Sequence, residues 1–159
     1  MSKVLVAYFS ASGETQRLAK TVADVTGGKL FEIQPQQKYT SADLNWNDKK
    51  SRSTTEMNDA KSRPAIANRV ENIQEYDTVF VGFPIWWYQA PRIIETFLES
   101  YDLEGKRVVP FATSGGSAMG KTAEILKKAC PGAIVDSGKR LSSRESAASV
   151  QKWVDGLNL

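Results

Sequence analysis

Residues 4–19, VLVAYFSASGETQRLA, contain an apolar run, a short polar turn and the start of an amphipathic helix. The continuous apolar run from Val4 to Phe9 is typical of a strand that is buried on both faces. After the turn, Leu18, Val22 and Val25 recur at the spacing of one helix face. A strand buried on both faces and followed directly by a helix indicates a parallel sheet covered by helices.

The rest of the chain repeats this alternation of strands and helices. Further strands are predicted at residues 30–34, 78–83, 107–112 and 133–135, although Pro110 is awkward in a central strand because it cannot donate to the ladder. Helices are predicted after Pro91, from about residue 117 to 129, and around residues 150–157, where Ser142 and Glu145 form a capping box. We therefore predict an α/β fold, a single doubly wound five-stranded parallel sheet with helices on both faces, formed by one domain over residues 1–159.

A long polar insertion at about residues 36–63 interrupts this pattern and shows little periodicity. A loop of that length within a compact domain is usually functional or disordered. Tyr39 and Trp46 are its candidates to cover a bound ligand. Alternatively, these two aromatic side chains anchor the insertion to the core.

The composition, with 41% hydrophobic and 25% charged residues in 159, predicts one soluble globular domain. Its longest apolar stretch is far shorter than the roughly 20 residues of a membrane span, and no signal-peptide pattern is present. We therefore expect a cytoplasmic protein without a membrane partner. The net charge of +3 comes without a long basic cluster, which argues against a nucleic-acid partner.

Histidine is absent and Cys130 is the single cysteine. This composition excludes histidine-based triads, zinc sites with His or Cys ligands, and disulfides, so no metal site is predicted. Redox chemistry would therefore need a bound organic cofactor. Cys130 itself is interpreted as a small buried apolar residue.

Three polar turns, at residues 10–15, 84–90 and 113–117, leave the carboxyl ends of predicted strands, where open parallel sheets bind their ligands. The first turn offers the hydroxyls of Ser10, Ser12 and Thr15, a glycine at position 13 that allows close backbone approach, and a helix N-terminus that favours an anion. This turn predicts a phosphate site. The alternative is an ordinary strand-to-helix turn with capping residues.

A second glycine-rich pattern lies at residues 115–122, which match the nucleoside-triphosphate signature G-x-x-x-x-G-K-T. The match follows the fourth strand rather than the first. The one candidate for the acidic magnesium ligand, Asp136, follows only three apolar residues. We interpret the match as coincidental, with Lys121 and Thr122 in the solvated first turns of the fourth helix, and triphosphate binding as the least favoured function.

Three segments resemble, in the right order, the flavin-binding loops of the flavodoxin family: YFSASGETQRLA (8–19), GFPIWWYQAP (82–91) and TSGGSAMG (113–120). The resemblance covers nearly the whole chain and implies strand order 2-1-3-4-5 and one non-covalently bound flavin mononucleotide (FMN). It implies that the first loop binds the phosphate, that the second packs its aromatic residues beside the flavin ring, and that the third donates N–H groups to the pyrimidine edge. The implied FMN-binding residues are Ser10, Ser12, Gly13, Glu14, Thr15, Gln16, Pro84, Ile85, Trp86, Trp87, Tyr88, Thr113, Ser114, Gly115, Gly116 and Ser117.

Glu14 stands where the family frequently has asparagine. A carboxylate facing a phosphate dianion would repel it. We therefore expect Glu14 to donate its backbone N–H to the phosphate and to turn its side chain towards water.

The resemblance leaves two redox functions open: an electron carrier between redox partners, or a two-electron NAD(P)H-dependent reductase of quinone-type acceptors. Residues 84–91 contain no glycine, whereas a glycine would ease the carbonyl flip that stabilises the flavin semiquinone in one-electron carriers. We therefore expect weaker stabilisation of that form. The sequence pI near 9.0 also differs from acidic carriers. The partner would be a redox protein or a small donor or acceptor, and the chain a monomer or homodimer; a fold that has lost its flavin is a third possibility.

Overall fold

The chain forms a parallel sheet in the order β2-β1-β3-β4-β5, with a sixth strand that also pairs with β4. In this computed structural model, residues 3–11, 13–113 and 121–159 are described. The strands are β1 (Val4–Tyr8), β2 (Lys29–Glu32), β3 (Thr78–Pro84), β4 (Arg107–Thr113), β5 (Ile134–Val135) and β6 (Lys139–Leu141). The helices are α1 (Glu14–Thr26), α2 (Arg52–Asn58), α3 (Arg92–Glu99), α4 (Thr122–Ala129) and α5 (Ala147–Asp155). The predicted α/β class and strand order are confirmed.

The central strands β1, β3 and β4 carry the core on both faces because alternate side chains point to opposite sides of the sheet. One face packs against α3 and α4, and its fully buried side chains include Leu5, Val79, Val81, Ile94, Phe97 and Leu126. The opposite face packs against α1 and α5, and its fully buried side chains include Val6, Leu18, Val22, Phe80, Val109 and Val150. Two covered faces explain the apolar runs in the sequence.

The register aligns the carboxyl ends of the three central strands. Tyr8 of β1 is level with Gly82 of β3, which is level with Phe111 of β4. A β-carbon at Gly82 would lie 2.3 Å from Phe111 Cζ, so only glycine leaves room for this ring. The alignment brings the first two polar turns and Thr113, where the third turn begins, to one edge of the sheet.

The fifth strand is interrupted beside Pro110. Arg107 donates its N–H to the carbonyl of Asp77 on the β3 side, whereas the carbonyl of Val108 accepts from Asp136 N–H on the β5 side. Because hydrogen-bonding directions alternate along a strand, the nitrogen of Pro110 points towards the fifth-strand side. β5 ends before that level and β6 begins after it, so the missing N–H leaves no ladder bond unmade. The predicted single fifth strand is thus two short strands.

Two predicted boundaries are corrected. β2 covers Lys29–Glu32 rather than residues 30–34, and it is a half-exposed edge strand, which explains its weak apolar pattern. α5 begins at Ala147 and is capped by Ser146, whose hydroxyl accepts from Ser149 N–H. The Ser142–Glu145 pair does form a hydrogen-bonded turn, but that turn lies before the helix instead of capping it.

The insertion at 36–63 contains α2, which the sequence analysis did not predict. Ser51 caps this helix by accepting from Thr54 N–H, and the buried residues of α2 are Ser53, Thr54 and Met57. Since this face is mostly polar, a search for apolar periodicity misses it.

Cys130 is buried at the end of α4, as predicted, with its thiol directed at the carbonyl of Leu126. Burial raises the pKa of this thiol to about 11. Within the described ranges, no helix is long and apolar enough to cross a membrane.

Candidate functional site

The first turn places backbone N–H groups at the N-terminus of α1. Gly13 precedes the helix in the left-handed region, with φ at 88°, and nothing lies within 4 Å of the position of a β-carbon there. The hydroxyl of Ser10 accepts from the N–H of Gly13 at 3.0 Å and from that of Gln16 at 3.3 Å. Glu14 is exposed in the first helical turn. The turn therefore presents an open, electropositive concavity.

Thr15 joins the first turn to the end of β4. Its hydroxyl lies 2.8 Å from the hydroxyl of Thr113, and both side chains are buried. The carbonyl of Thr113 in turn accepts from Ile85 N–H at 3.2 Å. The structure thus brings together predicted residues from the first, second and third loops.

The second loop forms a tight turn whose ends are Trp86 and Gln89. Trp86 N–H donates to the carbonyl of Gln89 at 2.9 Å, and Gln89 N–H donates back at 3.1 Å. The two central residues, Trp87 and Tyr88, have φ values of 49° and 64°. Positive φ at both central positions defines a type I′ turn, in which Asn and Gly are the usual residues.

Tryptophan and tyrosine at these positions are conformationally costly. A non-glycine residue in the left-handed region costs roughly 1–2 kcal/mol relative to the right-handed one, and such strain persists only where the surroundings impose it. Trp87 is 42% exposed and Tyr88 61% exposed. This turn, residues 86–89, is called the aromatic turn below. It presents two large aromatic rings to solvent in a conformation that local preference opposes.

Trp86 has a different role, because it packs inwards. Its ring meets Phe9 at 5.9 Å and Tyr39 at 5.6 Å between centroids, and those two rings lie 5.4 Å apart, all edge to face. Tyr39 therefore anchors the insertion to the core, whereas Trp46 is 69% exposed. Of the two alternatives for these aromatics, anchoring describes Tyr39, and Trp46 stays available to cover a ligand.

Helix α2 fixes Tyr39 in place. The tyrosine hydroxyl lies 2.5 Å from a carboxylate oxygen of Glu56, and the guanidinium of Arg52 lies 3.8 Å from the centre of the tyrosine ring. Arg52 also pairs with Glu56 at 2.9 Å. Burial, followed by the hydrogen bond to Glu56, raises the pKa of Tyr39 well above its ordinary value.

Arg92 ties the other end of the turn to α2. This buried guanidinium donates to the carbonyl of Met57 at 2.8 Å, to the carbonyl of Glu56 at 3.3 Å and to the side chain of Gln89 at 3.2 Å. Glu95 balances its charge at 3.0 Å. Sequence reasoning missed Arg92, whose only signal is an arginine directly after the helix-opening Pro91.

A cavity of about 400 Å³ lies between the insertion and the second loop. Leu44, Trp46 and Ser53 form its insertion side, and residues 85–88 form the other. Leu44 and Ser53 carried no sequence signal for this position, since they lie in the segment without periodicity.

The region of the triphosphate signature differs from the expectation. Thr122 is buried rather than solvated, and its hydroxyl donates to the carbonyl of Tyr88 at 3.3 Å. Asp136 pairs with Arg107 at the first residue of β4. The length of β4, at about 3.3 Å per residue, separates Thr113 at the other end by about 20 Å from Arg107. An acidic residue there is too far from Thr122 to share a magnesium ion with it. Among the predicted site residues, Ser12, Ser114, Gly115, Gly116 and Ser117 lie outside the described residues, as does most of the signature.

Comparison with known proteins agrees with this arrangement. The family model described as flavodoxin matches residues 3–157. A protein described as a flavoprotein from Bacteroides eggerthii DSM 20697 is 53% identical over 100% of this chain and 99% of its own, with a TM-score of 0.94. One from Bacteroides uniformis ATCC 8492 is 51% identical over 97% and 98%, with a TM-score of 0.92.

A more distant structure, a flavoprotein from Lactobacillus acidophilus NCFM in complex with FMN, is 23% identical over 97% of this chain and 99% of its own. Its TM-score of 0.72 shows the shared fold. No curated protein matches the chain. The match of the family model over nearly the whole sequence, together with the strand order, shows that the chain belongs to the flavodoxin family.

Proposed function

We propose that the protein binds FMN non-covalently at the carboxyl ends of β1, β3 and β4 and carries electrons between redox partners. The observation that carries this proposal is the strained turn with Trp87 and Tyr88 at its centre. Trp87 and Tyr88 hold exposed aromatic rings in left-handed conformations that local preference opposes. Against a flat aromatic ligand, they would supply stacking surface.

The residues that the structure describes fit FMN at both of its ends. At the phosphate end, the turn before α1 combines helix N–H groups, two of which converge on the Ser10 hydroxyl, with open space at Gly13. No cation is required there, because the helix dipole and N–H groups bind anions by themselves. At the ring end, Trp87 and Tyr88 present aromatic surface. Bound FMN would supply the redox chemistry that the side chains of this composition lack.

The chain's own residues would bind and orient the cofactor. The N–H groups of Gly13 and Gln16, which donate to Ser10 in this structure, can turn to phosphate oxygens, and Ser10 can then donate its own proton. The buried Thr15–Thr113 hydrogen bond keeps the phosphate loop at a constant distance from the loop after β4. Glu14 contributes its N–H, with its carboxylate in water.

A two-electron NAD(P)H-dependent reductase is the second candidate function. The observation that favours it is the lack of glycine in residues 84–91, because a glycine there would ease the carbonyl flip that stabilises the semiquinone of a one-electron carrier. The redox partner is part of the proposal in either case: a protein for the carrier, a small donor and acceptor for the reductase. A cytoplasmic location also belongs to this proposal.

The test is FMN titration, followed by the visible spectrum and by quenching of flavin fluorescence, with two matched glycine variants. Gly13→Ala and Gly27→Ala both place a methyl group in a left-handed position with nothing within 4 Å, one at each end of α1. Their strain is therefore similar, but only the methyl group at position 13 enters the space proposed for the phosphate.

We expect Gly13→Ala to weaken FMN binding by about tenfold, or 1.4 kcal/mol, and Gly27→Ala to leave affinity unchanged while costing similar stability. Equal effects of the two variants would show that position 13 has no role in phosphate binding. A wild-type protein that does not bind FMN would overturn the proposed function itself.

A further inference from the structure

We propose that the sheet edge formed by β6 and the turn after it docks an acidic redox protein, which accepts single electrons from bound FMN. This surface, which we call the basic edge, consists of Lys139, Arg140 and Arg144. The inference rests on the proposed function, because the docked protein would take its electrons from FMN. The basic edge itself is defined by the charge and position of residues in this chain.

The positive charge of the chain is concentrated in the last quarter of its sequence. Residues 1–120 contain fourteen Lys or Arg residues and fourteen Asp or Glu residues, whereas residues 121–159 contain seven and four. The whole net charge of +3 therefore lies in residues 121–159. Such an uneven distribution creates a directional field, which attracts an anionic partner to one side of the molecule.

The three cations of the basic edge are exposed. Within the described ranges, none of them forms an ion pair. The nearest acidic residues in the sequence have other contacts, since Asp136 pairs with Arg107 at 2.7 Å. The carboxylate of Glu145 accepts from Ser142 N–H and from the hydroxyl of Ser149. The cations are therefore available to an acidic partner.

The basic edge lies beside the loops proposed to bind FMN. In the register of the sheet, Arg140 is level with Ala112, and Leu141 is level with Thr113. Adjacent strands are about 4.8 Å apart, so the main chain of β6 runs directly beside the end of β4. Thr113 is in turn hydrogen-bonded to Thr15 at the start of α1. A protein docked at this edge would therefore lie next to the cofactor.

The two cations within β6 project from opposite faces of the sheet. Leu141 packs into the core on the side of α1 and α5, so Lys139 lies on that face and Arg140 on the other. Among the described strands, β6 pairs with β4 alone, which leaves its other side as an open edge. A partner that approaches this edge meets both charges.

Two simpler uses of these cations fit less well. Charged side chains on an edge strand oppose pairing with another chain, but charge of either sign would serve that purpose, and residues 139–144 contain no acidic residue. A single-stranded nucleic acid would require aromatic side chains for base stacking, and residues 136–152 contain none. Charge complementarity therefore favours an acidic protein.

The electron transfer balances with one class of acceptor, a protein with a one-electron metal centre. The dihydro form of FMN loses two electrons and two protons and returns to the oxidised form. Two acceptor molecules take one electron each in successive encounters, and the protons pass to water. In the test, stoichiometric dithionite supplies the electrons to FMN.

The test uses two probes that share one haem and differ in charge: cytochrome c, which is basic, and succinylated cytochrome c, whose lysines carry carboxylates. The reduced, FMN-loaded protein is mixed with each oxidised probe in stopped flow between about 0.02 and 0.5 M salt. Lys139→Gln with Arg140→Gln neutralises two charges of the basic edge.

Lys127→Gln with Lys128→Gln is the matched control. These two lysines are also adjacent, exposed and within the last quarter of the sequence, but they lie in the last turn of α4. That turn leads to β5, which pairs with the first residues of β4, at the end of the sheet opposite to the FMN loops. Both double variants lower the net charge by the same amount.

We expect succinylated cytochrome c to react faster than cytochrome c at low salt, with a rate constant that falls about tenfold as salt rises. Neutralising the basic edge should lower that rate constant about fivefold at low salt and leave it unchanged at high salt. The control variant should change it little, and the FMN dissociation constant should be the same in both variants.

Four results would overturn the inference. Equal losses in the two variants would mean that net charge alone attracts the partner, and a faster reaction with cytochrome c would mean that the partner is basic. A weaker affinity for FMN that accounts for the slower reaction would assign the two cations of β6 to the cofactor site. A short DNA duplex that binds more tightly than succinylated cytochrome c would assign the basic edge to nucleic acid.

Binding without FMN separates this inference from the proposed function. The haem of succinylated cytochrome c quenches tryptophan fluorescence, so a titration measures docking in the absence of the flavin. A protein that docks this probe through the basic edge but does not bind FMN would keep the docking surface and overturn the proposed function. A protein that binds FMN and transfers electrons equally well without the basic edge would do the reverse.

Discussion

The hydroxyl of Tyr39 lies 2.5 Å from Glu56, and this hydrogen bond connects α2 to the aromatic turn through the contact of the tyrosine ring with Trp86. The carboxylate of Glu56 is also paired with Arg52, so the acceptor is held in place from a second direction. Tyr39 therefore reaches the aromatic turn as a fixed support.

Replacing Tyr39 by Phe removes the hydroxyl and keeps the ring. A hydrogen bond to a charged acceptor contributes about 1.5 kcal/mol or more, so we expect Tyr39→Phe to lower the free energy of unfolding by about that amount. Urea denaturation measures this change. Tyr88→Phe is the matched control, because the ring of Tyr88 is exposed, and a loss of equal size there would contradict the role assigned to the Tyr39–Glu56 pair.

The same pair predicts a dependence of stability on alkaline pH. Burial first, and then the Glu56 carboxylate, raise the pKa of Tyr39 in the folded protein, whereas the unfolded chain ionises at the ordinary tyrosine value of about 10. Above that pH the unfolded state binds fewer protons than the folded state, so the stabilisation is complete below about pH 10 and is lost as pH rises. Tyr39→Phe should make the decline between about pH 10 and 11 less steep, as measured by denaturation at each pH.

Arg92 is predicted to be the most costly charged residue to replace in this region. Arg92→Met removes the donor to the carbonyls of Glu56 and Met57 and to Gln89, and leaves Glu95 with one cationic partner fewer. Breaking a buried ion pair costs about 3 kcal/mol or more, and we expect a loss of that size in chemical denaturation. Arg92→Lys should recover little, because one ammonium cannot reproduce the planar set of donors.

Arg63 provides the comparison for this prediction. Its guanidinium also pairs with Glu95, at 3.1 Å, and with Glu99, but it is more exposed than Arg92. More exposed pairs contribute about 0–1 kcal/mol, so Arg63→Met should cost clearly less. If the two variants lost equal stability, the network would be a set of surface ion pairs and α2 would not depend on Arg92.

Gly82 and Phe111 give a prediction about the sheet below the site. A methyl group at position 82 would lie 2.3 and 2.4 Å from two carbons of the Phe111 ring, and β4 cannot move because it is paired on both sides. Overpacking of this kind costs about 3 kcal/mol. We expect Gly82→Ala to be destabilised by about that amount in thermal and urea unfolding.

The double variant Gly82→Ala with Phe111→Leu tests whether the clash with the Phe111 ring causes the loss of stability in Gly82→Ala. The shorter leucine gives back the space that the methyl group occupies, so the pair should be more stable than the sum of the two single changes. Additive losses would mean that the cost arises from the backbone at position 82 and not from the ring.

The sheet could be predicted from the sequence because its apolar runs, such as residues 4–9, are a direct consequence of burial on both faces. The meeting of the first two loops with Thr113 was predictable for a similar reason, since connections at the carboxyl ends of parallel strands lie at one edge. The conformation of the second loop could not be predicted from the sequence. Its left-handed residues are Trp87 and Tyr88, which local preferences would place elsewhere.

The insertion could not be predicted in detail, because it is stabilised by polar contacts that leave no periodic pattern. Ser53 and Thr54 are buried through hydrogen bonds, and Glu56 lies close to Tyr39, from which it is separated by 17 positions in the chain. No local rule relates two residues so far apart. Its helix could have been suspected only from Ser51, a good N-cap residue before residues 52–58.

The last prediction concerns the strain in the aromatic turn and separates stability from cofactor binding. Tyr88 has a φ of 64°, a conformation that asparagine adopts more readily than tyrosine. Tyr88→Asn should therefore stabilise the FMN-free protein by about 1 kcal/mol. The same change removes an exposed ring from the proposed flavin surface and should weaken FMN binding by about tenfold.

Tyr88→Phe serves as the control for Tyr88→Asn, because it keeps both the aromatic ring and the strained backbone. It should strongly alter neither the stability of the FMN-free protein nor the affinity for FMN. Thermal unfolding without FMN measures the first effect, and fluorescence titration with FMN measures the second. A variant that gains stability and keeps its full affinity would show that the strain at Tyr88 has no connection with the cofactor. A variant that loses both would mean that the ring supports the turn even without a ligand, and that the cost of its conformation is repaid by packing within the chain.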